Sequence, residues 1–125
     1  MKKLLISCIA ILSLSGCALW MASYDSNEYL LVTKVRTIAE TTNCDNPLNT
    51  AGNIETMYIN AKEFKNFAQY IPRNQATIDL SNNLFILVDE LHKKESFSPA
   101  YCKIKLNIIS KSAEQIQQVV GSKPR

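Results

Sequence analysis

The N-terminal segment most constrains what this chain can fold into, because it separates an export signal from the part that folds. Lys2 and Lys3 precede an apolar run over 4–14, and small residues follow at 15–16. This order is typical of a secretory signal peptide. The alternative is a helix that stays in the membrane, but the apolar run is only about half of the roughly 20 residues such a helix needs. We therefore expect residues 1–16 to be removed.

The signal segment ends in Leu14-Ser15-Gly16-Cys17. This motif resembles the lipobox of bacterial lipoproteins, and the resemblance covers the first seventeen residues only. It implies that Cys17 is the first residue of the mature chain, carries the lipid and attaches the protein to a membrane. Ala18 follows instead of aspartate, which in that family implies sorting to the outer membrane of a Gram-negative host. The resemblance therefore predicts an outer-membrane-anchored protein whose domain lies in the periplasm or at the cell surface.

The mature chain carries little net charge. Of the fourteen Lys and Arg residues, Lys2 and Lys3 leave with the signal peptide, and the remaining twelve face eleven Asp and Glu, which gives +1. No basic field remains that would favour nucleic acid or an anionic membrane surface as a partner. The residues from 17 to 125 are enough for one compact domain.

Cysteine usage predicts one disulfide. Of four cysteines, Cys8 lies in the signal peptide and Cys17 carries the lipid, which leaves Cys44 and Cys102 in an oxidising compartment. The alternative is two buried, unpaired thiols. Two separated cysteines and one histidine lack the spacing of a zinc site, so we expect no metal, and we expect no cofactor.

Apolar residues recur at helical spacing in four segments. The first predicted helix follows Asp25 and covers 26–42, until turn residues at 43–47 end it. Asn53 is a suitable N-cap for the second, which covers 53–71.

The third predicted helix begins near Asn74 or Thr77 and runs to about Lys94. The fourth has Ser98 as its N-cap, with proline next in the sequence, and ends at Gly121. A strand over 101–109 is the alternative for its first part, because polar and apolar residues alternate there.

Four helices joined by short loops predict an all-α fold, a small antiparallel four-helix bundle over 26–121. A lipidated tether over 17–25 precedes it, and a flexible polar tail over 122–125 follows. In this arrangement the first and third loops lie at the same end, so Cys44 and Cys102 can approach each other.

Catalytic patterns are weak, and we expect no enzyme and no small-molecule substrate. His92, the only histidine, is expected at the solvated end of the third helix. Asp89 and Glu90 are adjacent and diverge on a helix, and three glycines form no phosphate-binding loop.

Two aromatic residues of the second helix region, Phe67 and Tyr70, are predicted to form an exposed patch for a protein partner. The alternative is that they belong to the core or are half-exposed. Trp20 beside the anchor either lies in the membrane interface or packs under the bundle.

Two classes of function remain. The first is a non-catalytic binding or accessory module for another envelope protein, for instance a pilotin-like or surface-exclusion lipoprotein. The second is a lysis factor similar to phage outer-membrane spanin subunits in lipobox and size. Those subunits tend to be extended and proline-rich, whereas this chain has four prolines outside its predicted helix interiors, so we prefer the binding module.

Overall fold

A computed structural model describes residues 21–125 and contains four α-helices within that range. They are α1 Ser26–Thr41, α2 Pro47–Ala68, α3 Gln75–His92 and α4 Pro99–Gly121. The predictions for the signal peptide, for lipidation at Cys17 and for Trp20 concern residues outside this range.

Helices adjacent in the chain pack against each other, and α4 also packs against α1, which closes the bundle. Their shared interior consists of aliphatic side chains with one large aromatic ring, and its fully buried members include Val35, Met57, Phe64, Leu84, Val88, Ile109 and Ile116. The predicted antiparallel four-helix bundle is therefore confirmed. The alternative of a strand over 101–109 is wrong, because this segment lies within α4.

The second helix begins six residues earlier than predicted. Asn46, not Asn53, is the N-cap, and its side-chain oxygen accepts a hydrogen bond from the backbone N–H of Asn49 at 3.2 Å. Pro47 is the first helical residue. Its fixed φ angle and missing N–H suit that position, so this proline starts a helix where the sequence analysis assigned it to a turn.

The predicted flexible tail over 122–125 is corrected by the burial of Lys123, whose exposed fraction is 7%. Its Nζ donates hydrogen bonds to the Glu28 carboxylate and to Asn74 Oδ1. Asn74 Nδ2 in turn donates to Glu28 Oε1 and to the Ala68 carbonyl oxygen, at 2.6 and 2.9 Å. These contacts tie the C-terminal segment to α1 and to the loop between α2 and α3.

The N-terminal approach to α1 also belongs to the packed domain. Ala22 is buried, and the backbone N–H of Tyr24 donates to the carbonyl oxygen of Pro124 at 2.8 Å. The guanidinium of Arg125 lies 5.0 Å from the centroid of the Tyr24 ring. The predicted tether over 17–25 therefore includes residues that the bundle holds in place.

Polar contacts join α1 to α4 near the middle of the bundle. Arg36 Nε donates to Glu40 Oε1 at 2.7 Å, and its Nη1 donates to Gln117 Oε1 at 2.9 Å. Hydrogen bonds from Arg36 and from the Ser110 hydroxyl lower the pKa of Glu40 below its ordinary value.

None of the four helices is both long and apolar enough to cross a membrane.

Candidate functional site

The antiparallel packing gives the bundle two distinct ends. The disulfide end contains the C-termini of α1 and α3 and the N-termini of α2 and α4, with the two loops that join them. The tether end contains the opposite termini of these helices, the α2–α3 loop and residues 21–25 and 122–125. The 16 residues of α1 separate the two ends by about 24 Å.

A disulfide links the α1–α2 loop to the N-terminal turn of α4 at the disulfide end. Cys44 in the α1–α2 loop and Cys102 in the first turn of α4 have an S–S distance of 2.05 Å and a Cα–Cα distance of 5.9 Å. Both residues are buried. The predicted pairing is confirmed, and a disulfide of this kind indicates an extracytoplasmic, oxidising location.

Beside the disulfide lies a cleft with a volume of about 480 Å³, which is within the range of ligand-binding sites. Its walls come from the α1–α2 loop, the first turns of α2, the end of α3 and the α3–α4 loop. The apolar residues that line it are Pro47, Ala51, Ile54, Leu91, Phe97 and Pro99. We refer to this feature as the disulfide-end cleft.

Charged residues also line the cleft, and most of them are acidic. Asp45, Glu55 and Glu95 provide three carboxylates, against the single lysine Lys94. Lys103, outside the lining, neutralises part of this charge, because its Nζ lies 3.0 Å from Asp45 Oδ2. The cleft therefore combines an apolar interior with an acidic margin.

His92 is the last residue of α3, as predicted, but solvent is not its main environment. Its side chain is half-buried, with Nε2 2.6 Å from Glu55 Oε2, and its ring stacks on Tyr58 with centroids 4.1 Å apart. These contacts connect α3 to α2 at the cleft wall. On the same turn, a hydrogen bond with the Asp89 carboxylate raises the pKa of Lys93 above its ordinary value.

Chemically, the lining offers a carboxylate-bound imidazole and apolar surface. Within residues 21–125, no group of three or more His, Cys, Asp or Glu is placed to hold a metal ion. The arrangement suits recognition of an apolar group, with charged side chains that orient it.

The structure does not bring the predicted partner-binding residues into this cleft. Phe67 is half-buried near the C-terminus of α2, and Tyr70 is 84% exposed in the turn that follows. Both therefore lie at the tether end, and their role in partner binding stays a prediction.

Sequence analysis missed one exposed apolar residue close to the cleft. Leu48 is 88% exposed in the first turn of α2, next to the cleft residue Pro47. The signal was present in the Asn46-Pro47 pair, because an N-cap followed by proline is typical of a helix start. Placing the start at Asn53 instead assigned Leu48 to a loop.

Fold and cleft together define a small disulfide-linked helical bundle with a recessed apolar site at one end. No protein-family model, no curated protein and no solved structure matches the chain.

Proposed function

We propose that this chain is an outer-membrane-anchored lipoprotein that acts as a non-catalytic accessory module and binds another envelope protein in the disulfide-end cleft. The lipid on Cys17 attaches it to the membrane. The bundle then presents the cleft to a partner in the periplasm or at the cell surface.

One observation carries this proposal: the cleft and the N-terminal approach lie at opposite ends of the bundle. Tyr24 is held at the tether end by its hydrogen bond to Pro124. If the residues just before Tyr24 attach the chain to the membrane, the disulfide end of the bundle points away from the lipid. The height of α1 places the cleft about 24 Å further out.

The lining indicates what kind of partner segment fits. Pro47, Ala51 and Phe97 are accessible lining residues and can surround one or two apolar side chains, whose burial contributes about 1.5–3 kcal/mol each. The carboxylates at the margin favour basic residues on either side of them. We therefore propose an apolar segment with basic flanks as the part of the partner that enters the cleft.

Site-specific photocrosslinking in living cells tests the location of this binding site. A photoreactive phenylalanine analogue replaces Leu48 in one chain and Tyr70 in another, because both are exposed and lie at opposite ends of α2. We expect a discrete crosslinked envelope protein from position 48 only. Crosslinks from position 70 alone would contradict the cleft, and lysis of the cells without any crosslink would favour the lysis class.

A cleft-filling substitution shows whether that crosslink depends on the cleft itself. Ala51→Trp enlarges an exposed residue of the cleft lining and should remove the crosslink without affecting the fold. Ala76→Trp is the matched control, because Ala76 is equally an exposed helical alanine but lies at the tether end of α3. Equal crosslinking by both variants would place the partner elsewhere.

Metabolic labelling with palmitate tests the anchor separately. The chain should incorporate label, and Cys17→Ser should abolish it. An unlabelled mature chain would contradict the lipoprotein assignment whatever the crosslinking shows.

A further inference from the structure

Exposed apolar and basic side chains lie at the tether end. Tyr70 is 84% exposed, Met21 is 50% exposed, and Arg73 and Arg125 are also exposed. We call these four residues the tether-end face. Aromatic residues combined with arginine are enriched where proteins meet the headgroup region of a bilayer.

Side-chain contacts join the parts of the sequence that contribute to this face. The Lys123 ammonium and the Asn74 amide connect the C-terminal segment to the start of α3, and both also contact Glu28 of α1. Arg125 follows two residues later and lies over the Tyr24 ring. These contacts therefore hold together the three separate parts of the sequence from which the face is drawn.

Two carboxylates at this end, Glu28 and Asp25, are engaged within the protein. Glu28 is fully buried and contacts the Lys123 ammonium. The Asp25 side chain accepts hydrogen bonds from the backbone N–H groups of Asn27 and Glu28 at the N-terminus of α1, at 2.8 and 3.1 Å. The charges of these two carboxylates are thus compensated by Lys123 and by the N-terminus of α1.

We infer that the tether-end face rests on the phospholipid headgroups, with the Tyr70 ring in the interfacial region. This inference depends on the lipid anchor proposed above. Ala22 is already packed in the domain, so the chain between it and Cys17 can span at most about 17 Å when fully extended. The headgroup region of one leaflet is itself about 5–8 Å thick, which keeps this face close to the lipid.

This contact gives Tyr70 a role different from the partner binding predicted for it. Its exposed ring would otherwise remain in water, whereas an interface accepts the ring at the acyl boundary and the hydroxyl among the headgroups. Binding of a protein at the same surface is the competing outcome, and the experiment separates the two.

Fluorescence quenching by brominated lipids measures which end of the bundle contacts the bilayer. The lipid-bearing full-length mature protein is reconstituted into vesicles of phosphatidylethanolamine and phosphatidylglycerol with bromine near the headgroup end of the acyl chains. Trp20→Phe removes the native tryptophan, and Tyr70→Trp or Leu48→Trp introduces a single reporter. The two positions form a matched pair, because both are exposed and lie at opposite ends of α2.

We expect the tryptophan at position 70 to lose most of its fluorescence and the one at position 48 to be unaffected. Equal quenching at both positions, or none at position 70, would overturn the inference even though the protein floats with the vesicles. Failure of the full-length mature protein to float would overturn the anchor, and the inference with it. Flotation therefore distinguishes the two failures.

Discussion

At the scale of single residues, Lys123 stands out in the described part of the chain because it forms a buried ion pair. Its ammonium and the Glu28 carboxylate are both removed from water, with exposed side-chain fractions of 5% and 0%. Burying two charges is costly, and their attraction repays the cost only when the remaining hydrogen-bonding capacity is also satisfied. Asn74 supplies those bonds, because its side-chain Nδ2 donates to Glu28 Oε1 and its side-chain Oδ1 accepts from Lys123 Nζ.

Removing one member of this pair should therefore be strongly destabilising. Lys123→Met leaves the Glu28 carboxylate buried without its cation, and we expect the free energy of unfolding to fall by about 3–5 kcal/mol. Urea unfolding followed by circular dichroism measures this loss.

Lys103→Met is the control for that measurement, because it removes an ion pair with Asp45 whose side chains are 59% and 63% exposed. An exposed pair contributes at most about 1 kcal/mol, so this variant should unfold close to the wild-type midpoint. Equal losses in the two variants would contradict the structural role assigned to Lys123.

At the scale of elements, the start of α2 can be tested by two asparagines seven positions apart. Asn46 caps the helix, and Asn46→Ala should lower the free energy of unfolding by about 1 kcal/mol. Asn53 lies inside the helix, where alanine is the better helix former, so Asn53→Ala should be neutral or slightly stabilising. Thermal or urea unfolding measures the stability of both variants. A larger loss for Asn53→Ala than for Asn46→Ala would support the helix start predicted from sequence.

The disulfide connects elements that are distant in sequence, and its removal should cost more than the loss of a cap. It closes a loop with a sequence separation of 58, for which the chain-entropy estimate is about 4 kcal/mol. We expect Cys44→Ala combined with Cys102→Ala to lower the urea midpoint while the helical spectrum persists at low urea. If the urea midpoint of the wild-type protein were the same with and without reductant, the disulfide would have no stabilising role.

Sequence periodicity predicted the interior of the helices better than their ends. Repeated spacing of three and four identified the helical segments, because a buried stripe must follow the helical period. The residues of these stripes, such as Leu84, Val88 and Ile109, are buried in the structure. The same continued spacing correctly favoured helix over strand at 101–109. The start of α2 was missed because Pro47 can either end or begin a helix, and local sequence does not separate these cases.

The remaining features depend on contacts between distant residues. Burial of Lys123 requires Glu28, which lies 95 positions away, and nothing in the polar sequence around the lysine indicates such a partner. The cleft arises where two loops and two helix ends meet, so its lining combines residues from 44 to 55 with residues from 91 to 99. The lone His92 likewise gave no sign of its contacts with Glu55 and Tyr58.

At the scale of the whole molecule, the bundle acts as a spacer between two surfaces of different chemistry. The tether-end face carries Tyr70 and two arginines, and the disulfide-end cleft is apolar with an acidic margin. The helices keep these surfaces about 24 Å apart. Because Ala22 is packed in the bundle, little free chain remains between the domain and the proposed lipid. The proposed anchor would therefore hold the cleft at a nearly constant height above the membrane.

Lengthening this free chain should weaken partner binding without changing the fold. A flexible insertion of about 20 Gly and Ser residues between Ala18 and Leu19 extends the segment before Ala22 from about 5 to about 25 residues. The effective concentration of the cleft at a membrane-bound partner then falls roughly tenfold, with the −3/2 power of the length. We expect the crosslink from position 48 to decrease accordingly, while palmitate labelling and the unfolding midpoint stay unchanged. An undiminished crosslink would mean that the partner reaches the cleft from solution, and that the constant height has no part in binding.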